Sequence, residues 1–126
     1  MRADAVVTGK APKPVGPYSQ AVKVGGFVFT SGQIALDPLT GALVGGDIVK
    51  QAEQVFANLA AVLEAAGTSL ERAVKLTVFI TDMAQFGKVN EVYARHFSEP
   101  FPARSTIQVA ALPKGASIEI EVTAEC

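Results

Sequence analysis

The sequence has few of the residues that mark disulfide-bonded, metal-binding or membrane-spanning proteins. Its 126 residues include one cysteine, Cys126, and one histidine, His96. A single cysteine cannot form an intramolecular disulfide, and no Cys/His set has the spacing of metal ligands. No apolar run approaches the ~20 residues that span a bilayer, and residues 1–14 lack the apolar segment of a signal peptide. These absences predict a cytoplasmic protein that spans no membrane and holds no metal.

Charged residues are also scarce, at 18% of the chain, and the formal net charge is −1. No cluster of lysine and arginine stands out, which argues against a general nucleic-acid binder. Hydrophobic residues make up 49%, so the surface of a chain this short carries few charges. A surface of this kind indicates that a partner covers part of it. The length is that of one domain, which we place at residues 1–126.

The first half of the chain predicts three strands and a helix. The second and third strands flank Gly25 and Gly26, which accept the positive φ of a hairpin turn. Asp47 is placed to cap the helix, and Gly67 to end it. Between them, apolar residues recur at every third or fourth position, as on one face of an α-helix. These residues are Ile48, Ala52, Val55, Leu59, Val62 and Ala66.

The second half predicts a strand at 73–81, a helix from about 82 to 97, and strands at about 103–110 and 117–124. In the first of these strands, one set of alternate residues is apolar throughout. This set consists of Val74, Leu76, Val78 and Ile80. The order β-β-β-α-β-α-β-β predicts an α+β fold, with one mixed sheet and both helices on one face.

The last two strands carry polar side chains that we place on the sheet face left uncovered by the helices. In the final strand, apolar residues alternate with Glu119 and Glu121. In the strand before it, we expect Ile107 and Val109 to face the core. Three residues then share the uncovered face with the glutamates: Arg104, Thr106 and Gln108. Two interpretations stay open: a solvated face with Arg–Glu pairs worth ~0.2–1 kcal/mol each, or a face that meets a partner.

The second helix has a polar residue on its apolar side. The stripe predicted to be buried consists of Phe86, Val89, Asn90, Tyr93 and Phe97. Asn90 must find a partner there, because a buried unpaired amide costs on the order of 1–3 kcal/mol. That partner is either a nearby loop backbone or a group in a sheltered cleft. His96 falls beside the stripe and is predicted to lie at the surface.

Five segments together resemble the YjgF/RidA family, whose members are also described as endoribonuclease L-PSP or translation inhibitor proteins. The segments are GPYSQAV (16–22), FTSGQIALDP (29–38), EAAG (64–67), VNEVYARHF (89–97) and PARSTIQVAALPKGASIEIE (102–121). They keep the order and spacing of the family motifs nearly end to end. The resemblance implies a chorismate-mutase-like fold and a homotrimer with sites in the clefts between subunits. The uncovered sheet face would then pack into the trimer.

The resemblance also implies roles for individual residues. Arg104 matches the arginine that grips the substrate carboxylate, as a planar guanidinium can do through two parallel hydrogen bonds. Glu119 matches the glutamate that holds the attacking water. Thr106 stands where some relatives have cysteine. The residues implied to bind substrate are Tyr18, Ser31, Gly32, Asn90 and Thr106.

The function implied by the resemblance is hydrolytic deamination of reactive enamines and imines such as 2-aminoacrylate. A 2-iminobutanoate/2-iminopropanoate deaminase would release a 2-keto acid and ammonia, and would need no metal or organic cofactor. The alternative, from another class, is a non-catalytic regulator that interacts with a small molecule or RNA on the same trimer.

Overall fold

The computed structural model of the chain describes residues 3–126, and it contains a six-stranded sheet and two α-helices. The first two residues of the predicted domain lie outside this described range. The strands are β1 (Asp4–Val6), β2 (Ala21–Val24), β3 (Phe27–Thr30), β4 (Ala73–Ile80), β5 (Ala103–Gln108) and β6 (Ile118–Glu125). The helices are α1 (Ile48–Ala65) and α2 (Phe86–Ala94).

The sheet has the strand order β1-β2-β3-β6-β4-β5. The β4–β5 pair is parallel and every other pair is antiparallel, which confirms the predicted mixed sheet. The connection from β4 to β5 runs through α2, as a crossover between parallel neighbours requires. The last strand in sequence, β6, inserts between β3 and β4 and so joins the two halves of the chain.

Helix α1 begins and ends where the sequence predicts. The carboxylate of Asp47 accepts a hydrogen bond from the backbone N–H of Lys50 at 3.0 Å, which satisfies one of the free donors of the first turn. At the other end Gly67 has φ +89°, a conformation that costs glycine little. Leu59 and Val62, from the predicted apolar face, are completely buried against the sheet.

Helix α2 is shorter than the predicted 82–97. Asp82 caps a separate 3₁₀ turn, Met83–Gln85, by accepting from the backbone N–H of Ala84 at 3.0 Å. The α-helix runs from Phe86 to Ala94. It begins later than predicted because short 3₁₀ turns often precede α-helices and leave the periodicity of the sequence unchanged. Phe97 lies past the helix, yet its ring packs on that of Tyr93 with the centroids 4.6 Å apart.

The core lies between the sheet and the two helices. Its largest fully buried members include Phe56 and Leu63 of α1, and Ile118 and Ile120 of β6. Neither helix in the described chain has the length and apolar surface that crossing a bilayer demands.

Val74 does not join the buried set of β4 as predicted. The pairing of β4 with β6 shifts register between Ala73 and Lys75, which marks a β-bulge. The extra residue breaks the alternation at this end of the strand, and Val74 is left 45% exposed. From Leu76 onward the predicted alternation holds, with Val78 and Ile80 also buried.

The orientation predicted for β5 is wrong. Parallel pairing places alternate residues of β5 beside the core-facing residues of β4, and those pairs are Leu76↔Arg104, Val78↔Thr106 and Ile80↔Gln108. Arg104, Thr106 and Gln108 therefore face the helices, and Ile107 is 43% exposed on the opposite face. The reason is that β5 is an edge strand, where an apolar residue need not face the core. Glu119 and Glu121 do lie on the uncovered face, as predicted, because Ile118 and Ile120 are buried.

Candidate active site

Four of the seven predicted site residues line one cavity of about 340 Å³. These four are Tyr18, Ser31, Gly32 and Glu119. The other lining residues are Pro12, Lys13, Val15, Gln20, Gln33, Ile34, Leu36, Pro113 and Lys114. We call this the Glu119 cavity. Lys13 and Lys114 also line the cavity and were not among the predicted site residues.

Gly32 lies directly against the carboxylate of Glu119. The segment around it runs beside β6, because Gln33 and Ile120 exchange both backbone hydrogen bonds, at 2.9 and 3.1 Å. A Cβ atom at position 32 would lie 2.7 Å from Cδ and from Oε2 of Glu119. Only glycine fits this approach without moving the carboxylate. Two residues grouped by the sequence motifs thus meet in space.

Glu119 is the one carboxylate in this cavity, and its pKa is raised above the ordinary value of 4.5. Partial burial is the larger cause, since desolvation disfavours the charged form. Repulsion from the carboxylate of Glu121, two residues along the same face of β6, is the smaller cause. A raised pKa makes Glu119 a better proton acceptor than an exposed glutamate once it is ionised.

The rim of the Glu119 cavity is formed by Tyr18, whose side chain is exposed. Its hydroxyl accepts a hydrogen bond from the backbone N–H of Val15 at 3.2 Å, which closes a short loop around the ring. The hydroxyl of Ser31 donates to the backbone carbonyl of Ser19 at 2.6 Å. The oxygen of Ser31 therefore remains able to accept a hydrogen bond inside the cavity.

A second cluster forms around Arg104, on the helix-covered face of the sheet. Its Nη1 donates to Oδ1 of Asn90 at 2.8 Å. The guanidinium carbon lies 4.7 Å from the ring centroid of Tyr93 and 5.4 Å from that of Phe86. A depression of about 370 Å³ opens here, lined by Tyr93, Phe101, Pro102 and Arg104. The expectation that Asn90 needs a partner is confirmed, and the partner is a side chain rather than a loop backbone.

Thr106 belongs to the Arg104 cluster by its place on the sheet, since it faces the same side two residues further along β5. Its hydroxyl oxygen is buried and has no hydrogen-bond partner within residues 3–126. The hydroxyl of Tyr93 has the same status. Sequence reasoning placed Phe86 and Tyr93 in the apolar stripe and missed their contact with Arg104. The available signal was their spacing around Asn90, at i, i+4 and i+7 of one helix face.

The two clusters are separate within one chain. Arg104 pairs with Leu76 and Glu119 with Phe79, so the two side chains project from opposite faces of the sheet. Along the strands the two residues lie about 10 Å apart, because their partners on β4 are three residues apart. Across the sheet they also lie about 10 Å apart, because β4 separates their two strands. A three- or four-carbon ligand cannot touch both side chains of the same chain.

His96 lies outside both clusters. Its ring stacks on Phe56 with the centroids 4.4 Å apart, and its Nε2 lies 3.3 Å from Oε2 of Glu53. The side chain is 26% exposed, so His96 reaches the surface but is more buried than a free surface residue. The reason is that one face of the imidazole is covered by Phe56, which is a fully buried core residue.

Relatives of known sequence match the chain over nearly its whole length. The family model described as Endoribonuclease L-PSP matches residues 8–126. A RutC family protein of Pyrococcus abyssi is 51% identical over 124 residues, which cover 98% of each chain. A mouse protein named 2-iminobutanoate/2-iminopropanoate deaminase is 49% identical over 119 residues, covering 94% of this chain and 88% of the relative.

A solved structure shares the fold in detail. The crystal structure of RidA from the Antarctic bacterium Psychrobacter sp. has a TM-score of 0.94 and 51% sequence identity, and the match covers 98% of this chain and 99% of that one. The sheet order, the two helices and these matches define a small α+β protein of the type found in RidA structures. The chain belongs to the YjgF/RidA family, whose family model is described as Endoribonuclease L-PSP.

Proposed function

We propose that the protein is a hydrolytic imine deaminase that converts 2-iminopropanoate and 2-iminobutanoate to 2-keto acids and ammonia. The observation that carries this proposal is the partly buried carboxylate of Glu119, held against Gly32 at the wall of a cavity of about 340 Å³. A cavity of this size accommodates a small imino acid and an attacking water. The mouse relative named as such a deaminase supports the same substrate class.

We infer that the working site is assembled between two copies of the chain. Arg104 and Glu119 project from opposite faces of one sheet, so a substrate held by both must receive them from different subunits. The uncovered face also exposes large apolar side chains, among them Phe27, Phe29 and Ile107, at 37%, 42% and 43%. Such a patch is typical of a subunit interface. A closed ring of three subunits, with residues 1–126 as one domain in each, would bury this face and create three equal sites.

In this site the substrate carboxylate would bind the guanidinium of Arg104, and the C=N carbon would face the Glu119 cavity. Two parallel N–H···O bonds fix the orientation of a carboxylate better than a point charge does. Asn90 already occupies one N–H of the guanidinium, and no other hydrogen bond within the described chain uses the rest. The remaining donors are therefore free for an anionic ligand.

Hydrolysis would proceed by addition of water and loss of ammonia. Glu119 accepts a proton from a water molecule as the water oxygen bonds to the imine carbon, and the π electrons of C=N move to nitrogen. The protonated Glu119 returns this proton to nitrogen, which gives a carbinolamine. Glu119 then takes the remaining hydroxyl proton and passes it to the amine, so that nitrogen leaves as ammonia when the C–N bond breaks and the carbonyl forms. Holding the water and the imine together also lowers the activation free energy, because their translational entropy is lost on binding and not in the chemical step.

The test is a coupled assay in which a pyridoxal-phosphate dehydratase generates the imine from threonine or serine. We expect the protein to accelerate 2-keto acid formation beyond the spontaneous rate, and light scattering to give the mass of three chains. Incubation of the same preparation with RNA tests the regulatory alternative. RNA cleavage without acceleration of imine hydrolysis would overturn the proposal. A cytoplasmic location stays a prediction of the sequence.

A further inference from the structure

One face of α2 surrounds the guanidinium of Arg104. Phe86, Asn90 and Tyr93 stand at positions i, i+4 and i+7 of this helix, so they lie in a row along it. Asn90, in the middle, accepts the hydrogen bond from Nη1. The two aromatic rings stand on either side of it along the helix. The arginine thus reaches from the edge strand β5 to one face of α2.

The guanidinium lies between the two rings. Seven residues of α-helix span about 10.5 Å, and the guanidinium carbon lies 5.4 Å from the Phe86 centroid and 4.7 Å from the Tyr93 centroid. Both distances are within the range of cation–π attraction, which is about 6 Å to the ring centroid. We call Phe86 and Tyr93 the aromatic clamp.

Tyr93 is fixed by the core and not by its hydroxyl. Its ring meets Phe56 edge to face at 6.0 Å and Phe97 at 4.6 Å. The hydroxyl is buried without a hydrogen-bond partner among residues 3–126, and burial raises the pKa of this phenol while Arg104 opposes the rise. Because no residue among 3–126 forms a hydrogen bond with the hydroxyl, the close contact between Tyr93 and Arg104 is the one made by the ring.

We propose that Phe86 and Tyr93 are positioning residues that hold the guanidinium of Arg104 ready for the substrate carboxylate. The clamp restricts a long and otherwise mobile side chain through its apolar surroundings, while Asn90 fixes its rotation through one N–H. The N–H groups left free can then pair with two carboxylate oxygens without a further loss of side-chain entropy. This inference rests on the proposed function, in which Arg104 binds a carboxylate.

The experiment compares Tyr93→Leu and Phe86→Leu with Tyr93→Phe and with Phe97→Leu. Loss of either ring of the clamp should raise KM for 2-iminobutanoate about tenfold and leave kcat within about twofold, because carboxylate binding is shared by ground and transition states. Tyr93→Phe keeps the ring, so its KM should equal that of the wild type. Phe97→Leu removes a neighbour of Tyr93 that does not touch Arg104, so it measures the effect of lost aromatic packing alone and should raise KM less than either leucine variant of the clamp.

Phe86 is only partly buried, so Phe86→Leu tests the clamp even where Tyr93→Leu fails to fold. A wild-type KM in both leucine variants overturns the inference. An equal rise of KM in Phe97→Leu also overturns it, because general loss of packing would then explain the effect.

A second measurement separates this inference from the proposed function. Aromatic rings shift the NMR signals of protons above their faces, so the Nε–Hε signal of Arg104 should lie outside the usual arginine range. It should return toward that range in Tyr93→Leu and Phe86→Leu, stay in place in Tyr93→Phe, and move less in Phe97→Leu than in either leucine variant of the clamp. If wild-type protein hydrolyses no imine but shows this pattern, the proposed function fails and the clamp stands. If it hydrolyses imine and the signal does not respond, the clamp fails alone.

Discussion

The carboxylate of Glu119 occupies the space that any side chain at position 32 would need. A Cβ atom there would lie 2.7 Å from Oε2 of Glu119, closer than real Cβ contacts allow. Because Glu119 is only partly buried, its carboxylate can move aside rather than disrupt the core. The contact therefore couples the identity of residue 32 to the position of the proposed base.

Gly32→Ala should consequently lose activity while it keeps its fold. A positioned general base typically contributes about 10²–10⁴-fold to the rate. Since Gly32→Ala displaces this carboxylate, we expect kcat to fall by an amount near the lower end of that range. The measurement is imine hydrolysis together with the melting temperature. Gly45→Ala is a matched control, since a Cβ at position 45 would meet no atom within 4 Å. Wild-type turnover in Gly32→Ala would contradict this account of the cavity.

Arg104→Ala should abolish substrate binding, and Arg104→Lys should restore little of it. Lysine keeps the charge but cannot reproduce the planar fork of donors or the contact with two rings. The measurement is binding of 2-ketobutanoate, the product, by calorimetry. Arg72→Ala is the control, because its ion pair with Glu125 is exposed, with side chains 53% and 59% accessible. Wild-type affinity in Arg104→Lys would show that charge alone holds the carboxylate.

Glu119→Gln should stabilise the protein at neutral pH and have little effect on stability in acid. The pKa of Glu119 is raised on folding, so its contribution to stability is present below its ordinary value of 4.5 and is lost as the pH rises through the folded value. At pH 7 the wild type therefore carries a penalty for a partly desolvated charge that glutamine does not have. Thermal melts at pH 4 and pH 7 check this, and a difference of equal size at both pH values would contradict it.

Subunits with Arg104→Ala and subunits with Glu119→Gln should complement each other. If each of three sites takes Arg104 from one subunit and Glu119 from the next, every mixed trimer regains one intact site. Random reassortment of equal amounts then restores about a quarter of the wild-type activity. The control is each variant taken alone through the same reassortment. No recovery on mixing would overturn the proposal that the site is shared between two subunits.

Much of the fold follows from local pattern. The cap at Asp47, the stop at Gly67 and the apolar face between them predict α1 within a residue or two of its observed ends. The alternation in β6 gives its buried and open faces correctly, because this strand lies inside the sheet and both faces are constrained. The grouping of Tyr18, Ser31, Gly32 and Glu119 came from family motifs, and the structure brings these residues to one cavity.

What local pattern could not give is the direction of Arg104. The alternation in 103–108 allows either Arg104 or Ile107 to face the core, and the apolar side chain of Ile107 suggested the wrong choice. Pairing with β4 decides the matter, since Leu76 stands beside Arg104 and faces the core. The paired residues of β4 and β5 are 28 positions apart in the chain (104 − 76), so their register depends on packing across the whole sheet and not on neighbours in the chain.

Short-range motifs and periodicity therefore suffice to identify the family, most of the helices and strands, and the residue types of the candidate site. Tertiary structure alone decided that the guanidinium lies under α2 between Phe86 and Tyr93, and that the carboxylate of Glu119 lies on the opposite face against Gly32. The physical reason is that an edge strand can present either face to the core, and only its partner strand and the helix above it select one.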